Sequence, residues 1–326
     1  MSRSLTVAQK RWPLHKPFKI SRGQHTHSET VICTIVEGEH TGRGEAAGVS
    51  YDGETMESIQ HQVESVAGQV EEGINRDDLQ LLLPPGGARN VIDCALWDLE
   101  AKQARKTIWE LIGWSPQPVT TVYTVGIDNP EKMQRDAAAH ADYPFLKVKV
   151  GLGDAVEQIA AINAGAPDSA IIIDANQAWT VADLEKYTAT LRTMGVEMIE
   201  QPLNRDADED LRNYDALLPL CADESCATSA DLERLHGLYS MVNIKLDKTG
   251  GLTEALKLAE QALSMGFELM VGNMLGSSLA MAPSFVIAQK CRYVDIDGPL
   301  LQSEDCEHAM HYEHGVVQVF TPQLWG

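Results

Sequence analysis

From residue 119 onward the chain alternates between short apolar runs and amphipathic stretches. VTTVYTVGI, FLKVKVG, AIIIDAN, VEMIEQP, PLCADES, SMVNIKLDK, FELMVGNML and RYVDIDGPL each read as a strand, and helical stretches separate them. Asn129 before Pro130, and Thr180 before VADLEKY, are helix-start signals. Repeated strand–helix units predict a parallel sheet, and eight such strands with seven intervening helices predict a closed barrel. The first 60 residues differ. TVICTIVEG reads as a strand, whereas PFKISRGQHTHSE and GEAAGVSYDGET read as loops. Residues 55–73 and 88–112 read as helices. Val91, Ile92, Ala95, Leu96 and Leu99 share one apolar face of the second, and Gly113 ends it. The expected organisation is an α/β chain with an N-terminal α+β domain (1–117) and a barrel domain (118–302). A C-terminal segment (303–326) is expected to return to the first domain, with HYEHGVVQVFTP as its strand.

The chain has 326 residues, enough for a barrel plus a second domain. A formal charge of −21 disfavours nucleic acid as a partner. The N-terminal MSRSLTVAQKRWPLHKPF lacks the apolar core of a signal peptide, and no run is long enough to span a membrane. The six cysteines are scattered, so reduced thiols in a cytoplasm are expected.

The chemistry lies at the strand ends. Asp174, Glu200 and Asp223 end three consecutive strands about 25 residues apart, one strand plus one helix, and a barrel would bring them to one rim. Three hard oxygen ligands suit Mg²⁺. Lys147 and Lys149 are two apart on the preceding strand, so both face the same way. An exposed, charged edge strand is the alternative. Inside the barrel, crowding beside a dication would lower their pKa toward that of a usable base. Lys149 lies on the second strand and Lys245 on the sixth, across the barrel axis, where two bases could work on opposite faces of one carbon. Lys248, three residues on, is expected to face elsewhere or to begin a loop.

Asp295 and Asp297 are also two apart, and a carboxylate pair at the mouth suits a substrate ammonium group. An EF-hand fails there because Pro299 interrupts the pattern. Arg22, in the loop ISRG, could meet a substrate carboxylate as a bidentate partner, although spacing alone makes it a surface arginine. His25 and His27 lack a third ligand nearby. The DADED run at 206–210 reads as a solvated segment.

Together KVK, DAN, EQP, ADES, NIKLDKTGG, the GRGE turn at 42–45, the ALWDL helix and VDIDGP resemble the muconate-lactonizing subgroup of the enolase superfamily, and within it the dipeptide epimerases. The similarity runs nearly end to end. The resemblance implies a (β/α)7β modified TIM barrel under an enolase-like cap, with Lys149 and Lys245 as the acid/base pair. It implies Mg²⁺ on Asp174, Glu200 and Asp223, the dipeptide ammonium on Asp295 and Asp297, and Arg22 on a glutamate side chain. The expected reaction is epimerisation of L-Ala-D/L-Glu by two-base 1,1-proton transfer through a metal-stabilised enediolate, with Lys147 in support. A role in recycling cell-wall peptides is implied by resemblance alone. One departure is the run GNMLGSS, with Gly276 where many relatives carry an acid, and it disfavours cycloisomerase chemistry. N-succinylamino acid racemisation and o-succinylbenzoate synthesis remain alternatives on the same scaffold. A Schiff-base aldolase with Lys245 as nucleophile is the alternative of another class.

Overall fold

The computed structural model describes residues 2–20, 23–151 and 153–326. Three antiparallel strands open the chain: β1 (Arg3–Ile20), β2 (Gly23–Glu37) and β3 (His40–Ala46). The first two form a long hairpin whose register slips between Pro13 and Phe18. The strand in this region is therefore much longer than expected. His25 and His27 lie within β2, paired across to Phe18 and Pro13, where a polar loop was expected. Polar residues extend there because they pair with β1 rather than because of their own propensity.

GRGE is likewise not a turn but part of β3. Gly42 and Gly44 are two apart and face the helix Gly87–Ala104. A Cβ on either would fall 2.1 Å from Ala95 O or 2.2 Å from Val91 O, so only glycine permits this approach. The expected apolar face of that helix is present: Val91, Ile92, Ala95, Leu96 and Leu99 pack with Val31, Cys33 and Ile35. Its opposite side, through Cys94 and Trp97, joins the core that surrounds the barrel. The residues expected to form one helix over 55–73 form two, Met56–Ser65 and Ala67–Glu71, and those over 88–112 form Gly87–Ala104 and Ile108–Ile112.

After β4 (Val119–Thr120) the barrel strands follow in order. They are β5 (Tyr123–Val125), β6 (Phe145–Lys149), β7 (Ala170–Asp174), β8 (Val196–Glu200), β9 (Leu220–Ala222), β10 (Met241–Ile244), β11 (Glu268–Val271) and β12 (Tyr293–Val294). All pair in parallel with their sequence neighbours. The ring closes where Val122 N donates to Val294 O (2.8 Å) and Thr124 N donates to Asp297 Oδ2 (2.7 Å). The expected capped (β/α)7β barrel is the observed fold.

The barrel interior is layered. Val122, Phe145, Ile172, Met198, Cys221, Met241, Met270 and Tyr293, one from each strand or its edge, form an apolar floor. Because strand side chains alternate, the residues two further on form the next layer inside. That layer contains Thr124, Lys147, Asp174, Glu200, Asp223, Asn243, Gly272 and Asp295, and it is where chemistry replaces packing.

The C-terminal hairpin, β13 (Tyr312–Glu313) and β14 (Val316–Val317), pairs with β4 and not with the cap sheet as expected. The segment reaches the cap at both ends, with Ser303 N donating to Pro13 O (2.8 Å) at its start. Trp325 Nε1 donates to Cys94 O (3.0 Å), and Arg43 Nη2 donates to Leu324 O (2.6 Å).

Candidate active site

Asp174, Glu200 and Asp223 are fully buried, and one ligand oxygen from each lies within 4.8 Å of the others. Lys149 Nζ donates to Asp174 Oδ2 (2.5 Å) at one end of this triad. At the other end Lys245 Nζ donates to Asp223 Oδ2 (2.6 Å). The triad thus lies between the two lysines in barrel order, β6 to β10.

Lys147, in the same layer, meets carboxylates from three strands or their ends. Its Nζ is 2.7 Å from Glu200 Oε2, 3.3 Å from Asp174 Oδ2 and 2.7 Å from Asp295 Oδ2. Burial pushes this ammonium down, but Asp295, Glu200 and Asp174 outweigh it and hold the pKa well above the usual lysine range. Three carboxylates face Lys147 and set this direction. Burial pushes Lys245 down too, but Asp223 and then Glu200 outweigh it and leave it raised. Burial pushes Asp223 up, yet Lys245 and Lys248 hold it well below the ordinary carboxylate range. Glu200 moves the other way, raised by burial and then by the charge on Asp174.

The oxygen set fits a divalent cation. The ligand atoms are close enough to share one ion, and all are hard carboxylate oxygens. In addition, Glu200 Oε2 is buried and accepts no directed hydrogen bond, its nearest charge being Lys147 in ionic contact.

Three residues in this site escaped the sequence reading. Lys248, expected to face elsewhere or to begin a loop, lies past the strand in the short helix Leu246–Thr249 and reaches the same carboxylate as Lys245, donating to Asp223 Oδ1 (2.7 Å) and Asn243 O (2.9 Å). On a strand an offset of three changes face, but on a helical turn it does not. Asn243 donates to Glu200 Oε1 (2.8 Å), and its position two before Lys245 was the available signal. Gly272 makes room: a Cβ there would lie 2.8 Å from Lys245 Cε and from the Asn243 amide.

Asp295 and Asp297 are both buried at the end of β12. Asp295 is raised by burial but lowered more by Lys147, and Asn273 Nδ2 also donates to it (3.2 Å). Asp297 is raised by burial and then by Asp295. This pair, short of positive charge on the Asp297 side, can receive a cationic group. Arg22 lies outside the described residues. His25 is exposed on the hairpin, away from any carboxylate or thiol cluster among the described residues.

Cap residues are tied to the barrel at its loops. Gly48 N donates to Asp247 Oδ1 (2.7 Å), and Arg205 pairs with Asp52 (2.8 Å). Gly276 lies just before the helix Ser278–Ala288, and the acid near it is the cap's Glu45, which accepts from Trp12 Nε1 (2.8 Å) and Ser277 N (3.3 Å).

A capped barrel with three clustered carboxylates and lysines at both ends of the cluster defines a metal-assisted acid–base enzyme. The chain belongs to the mandelate racemase / muconate lactonizing enzyme family of the enolase superfamily. Residues 2–113 match the mandelate racemase / muconate lactonizing enzyme N-terminal domain, and residues 131–323 match the enolase C-terminal domain-like family. It is 41% identical to the L-Ala-D/L-Glu epimerase of Escherichia coli K12, covering 96% of this chain and 98% of that one. It is 46% identical to an N-acetyl-D-glutamate racemase of a Pseudoalteromonas species, over 75% of this chain and 78% of that one. Among solved structures, an Agrobacterium tumefaciens enolase family member with homology to dipeptide epimerases, bound to sodium and L-Ala-L-Glu, superposes with a TM-score of 0.97. That protein is 42% identical, with 99% of this chain and 100% of that one covered.

Proposed function

We propose that this protein is a Mg²⁺-dependent dipeptide epimerase that inverts the α-carbon of the C-terminal residue, with L-Ala-D/L-Glu as its substrate. One observation carries the reading: Lys149 and Lys245 hydrogen-bond to the two outer members of one carboxylate triad, from strands on opposite sides of the barrel. Proton transfer that inverts a centre needs bases on both faces, and this arrangement supplies them.

Asp174, Glu200 and Asp223 would hold the cation, and a bound Mg²⁺ would supply positive charge to offset the negative charge that develops on the substrate carboxylate as the α-proton leaves. Lys149 or Lys245 takes that proton, and the other returns one to the opposite face. Lys147 stays protonated among its acids and adds fixed positive charge next to the same carboxylate. Asp295 and Asp297 receive the α-ammonium of the N-terminal residue, and Arg22 meets the glutamate side chain. The substrate belongs to cell-wall peptide turnover, and the setting is the cytoplasm. No helix among the described residues is long and apolar enough to cross a membrane.

The relative that racemises N-acetyl-D-glutamate favours a second reading, on an N-acylated glutamate. The buried acids Asp295 and Asp297 weigh against it, because an acylated nitrogen carries no charge to compensate them. Turnover of L-Ala-L-Glu and N-acetyl-L-Glu side by side, with the parent and with Asp297→Asn, tests the choice. The dipeptide should be preferred by the parent, and the substitution should raise KM for the dipeptide alone. Preference for N-acetyl-L-Glu by the parent would replace the first reading with the second.

A further inference from the structure

We propose that Asp208 is a positioning residue for the metal ligand Asp223, acting through Tyr239, Ser225 and Gln201. The proposal rests on the reading of Asp223 as a ligand. Asp208 lies in the DADED run that reads as a solvated segment, yet it is only 3% exposed. It sits within the 3-10 stretch Arg205–Asn213, which follows β8.

Three donors converge on its carboxylate. Tyr239 Oη donates to Oδ1 (2.6 Å), Ser225 Oγ donates to Oδ1 (2.9 Å), and Arg234 Nη1 donates to Oδ2 (2.7 Å). A carboxylate offers only acceptors, so both hydroxyl protons must point at it. Each hydroxyl then presents its lone pairs to the next group, the side-chain amide of Gln201. Gln201 Nε2 donates to Ser225 Oγ (2.9 Å), Tyr239 Oη (3.1 Å) and Leu203 O (2.9 Å).

That fixes which end of the amide faces the metal ligand. Gln201 Oε1 accepts from Asp223 N (2.8 Å) and Ser225 N (3.1 Å), gripping the backbone at Asp223 and two residues beyond. Gln201 itself directly follows Glu200 and has a positive φ of 34°. The amide thus ties the strand end bearing one ligand to the strand end bearing another. The direction of the whole chain, carboxylate to hydroxyls to amide to backbone N–H, is set by the charge at Asp208. All four members are buried, so a reversed link leaves a donor facing a donor.

Asp208→Asn keeps the shape but can place an NH2 where the hydroxyl protons point. The test uses apo protein and Mn²⁺ as the probe, with free Mn²⁺ followed by EPR. A second readout is amide hydrogen exchange of the segment 220–226 in the metal-free protein. Outer-shell partners of metal ligands typically contribute 10- to 100-fold in affinity, so Mn²⁺ should bind Asp208→Asn about 10- to 100-fold more weakly. The 220–226 segment should exchange faster, while exchange of the cap sheet stays as in the parent. Gln201→Leu should show the same two changes, and the double variant should bind Mn²⁺ no more weakly than the weaker single one. If Asp208→Asn fails to fold, Tyr239→Phe and Ser225→Ala each remove one strut and should show smaller changes in the same direction. Mn²⁺ affinity within twofold of the parent, or fully additive losses in the double variant, would overturn the proposal. Asp223→Asn is the control for the underlying reading. If it leaves Mn²⁺ binding intact, the ligand assignment fails, whatever Asp208→Asn does.

Discussion

Lys147 and Asp295 form a 2.7 Å ion pair across the closure of the barrel, joining the second strand to the eighth. Through it the acid pair assigned to the substrate ammonium shares one cation with the metal-type carboxylates Asp174 and Glu200. The two halves of the proposed dipeptide site, carboxylate end and amine end, are thus held in fixed relation by one buried side chain.

The two outer lysines should be separable by the face on which they act. Lys149→Ala and Lys245→Ala should each lose epimerisation by at least about 10²-fold, the low end for a positioned acid–base group. In D₂O each variant should still exchange the α-proton of one diastereomer, and the two should differ in which one. NMR of both variants on both diastereomers reads this directly. The same diastereomer exchanging in both variants would mean a single base.

Gly272 should be as necessary as a catalytic side chain, for steric reasons. Its missing Cβ would lie 2.8 Å from Lys245 Cε and the Asn243 amide. Gly272→Ala should displace Lys245 and cut kcat by about 10²-fold, as expected for a misplacement of roughly 1 Å. Overpacking should cost stability by about 1–3 kcal/mol. Steady-state kinetics with chemical denaturation separate the two effects. Parent-like kcat would show that the lysine has slack the structure does not suggest.

Much of this site could be read from the sequence because strand alternation is a strict code. Once IIIDAN, EMIEQP and PLCADES are taken as consecutive parallel strands, the positions of Asp174, Glu200 and Asp223 follow from period two and barrel closure. Lys248 was misjudged because the chain changes from strand to helix at Leu246, so the offset of three reverses its meaning. Asp208 was misjudged because nothing local marks it: its neighbours are mostly exposed, and its partners Ser225, Arg234 and Tyr239 come from the loop after β9, the helix Leu232–Leu235 and the approach to β10. The extent of the β1–β2 hairpin was hidden for the same reason, since residues such as His25 and Glu29 are extended only because a partner strand pairs with them.

A pH dependence of stability should trace to Asp93, on the helix between cap and barrel. Burial pushes its pKa up to about 6, against the lowering effect of hydrogen bonds from Thr253. Below about pH 4 the folded and unfolded chains both hold this proton. Between about 4 and 6 the unfolded chain releases it first, so the folded chain binds more protons and stability falls as pH rises. Above about 6 the loss is complete, and a shift of about two units makes it about 3 kcal/mol. Asp93→Asn should flatten this part of the profile. Urea unfolding of parent and variant from pH 4 to 7 measures the difference, which cancels the similar contribution of Asp247, also raised to about 6 by burial. Parallel profiles would exclude Asp93 as the source.

The central claim is metal-dependent inversion of a dipeptide α-carbon, and proton NMR of L-Ala-L-Glu in D₂O tests it most directly. With enzyme and Mg²⁺, the glutamate α-proton signal should disappear as L-Ala-D-Glu accumulates, and EDTA should stop both changes. Persistence of the α-proton with Mg²⁺ present, or unchanged turnover in EDTA, would contradict the account.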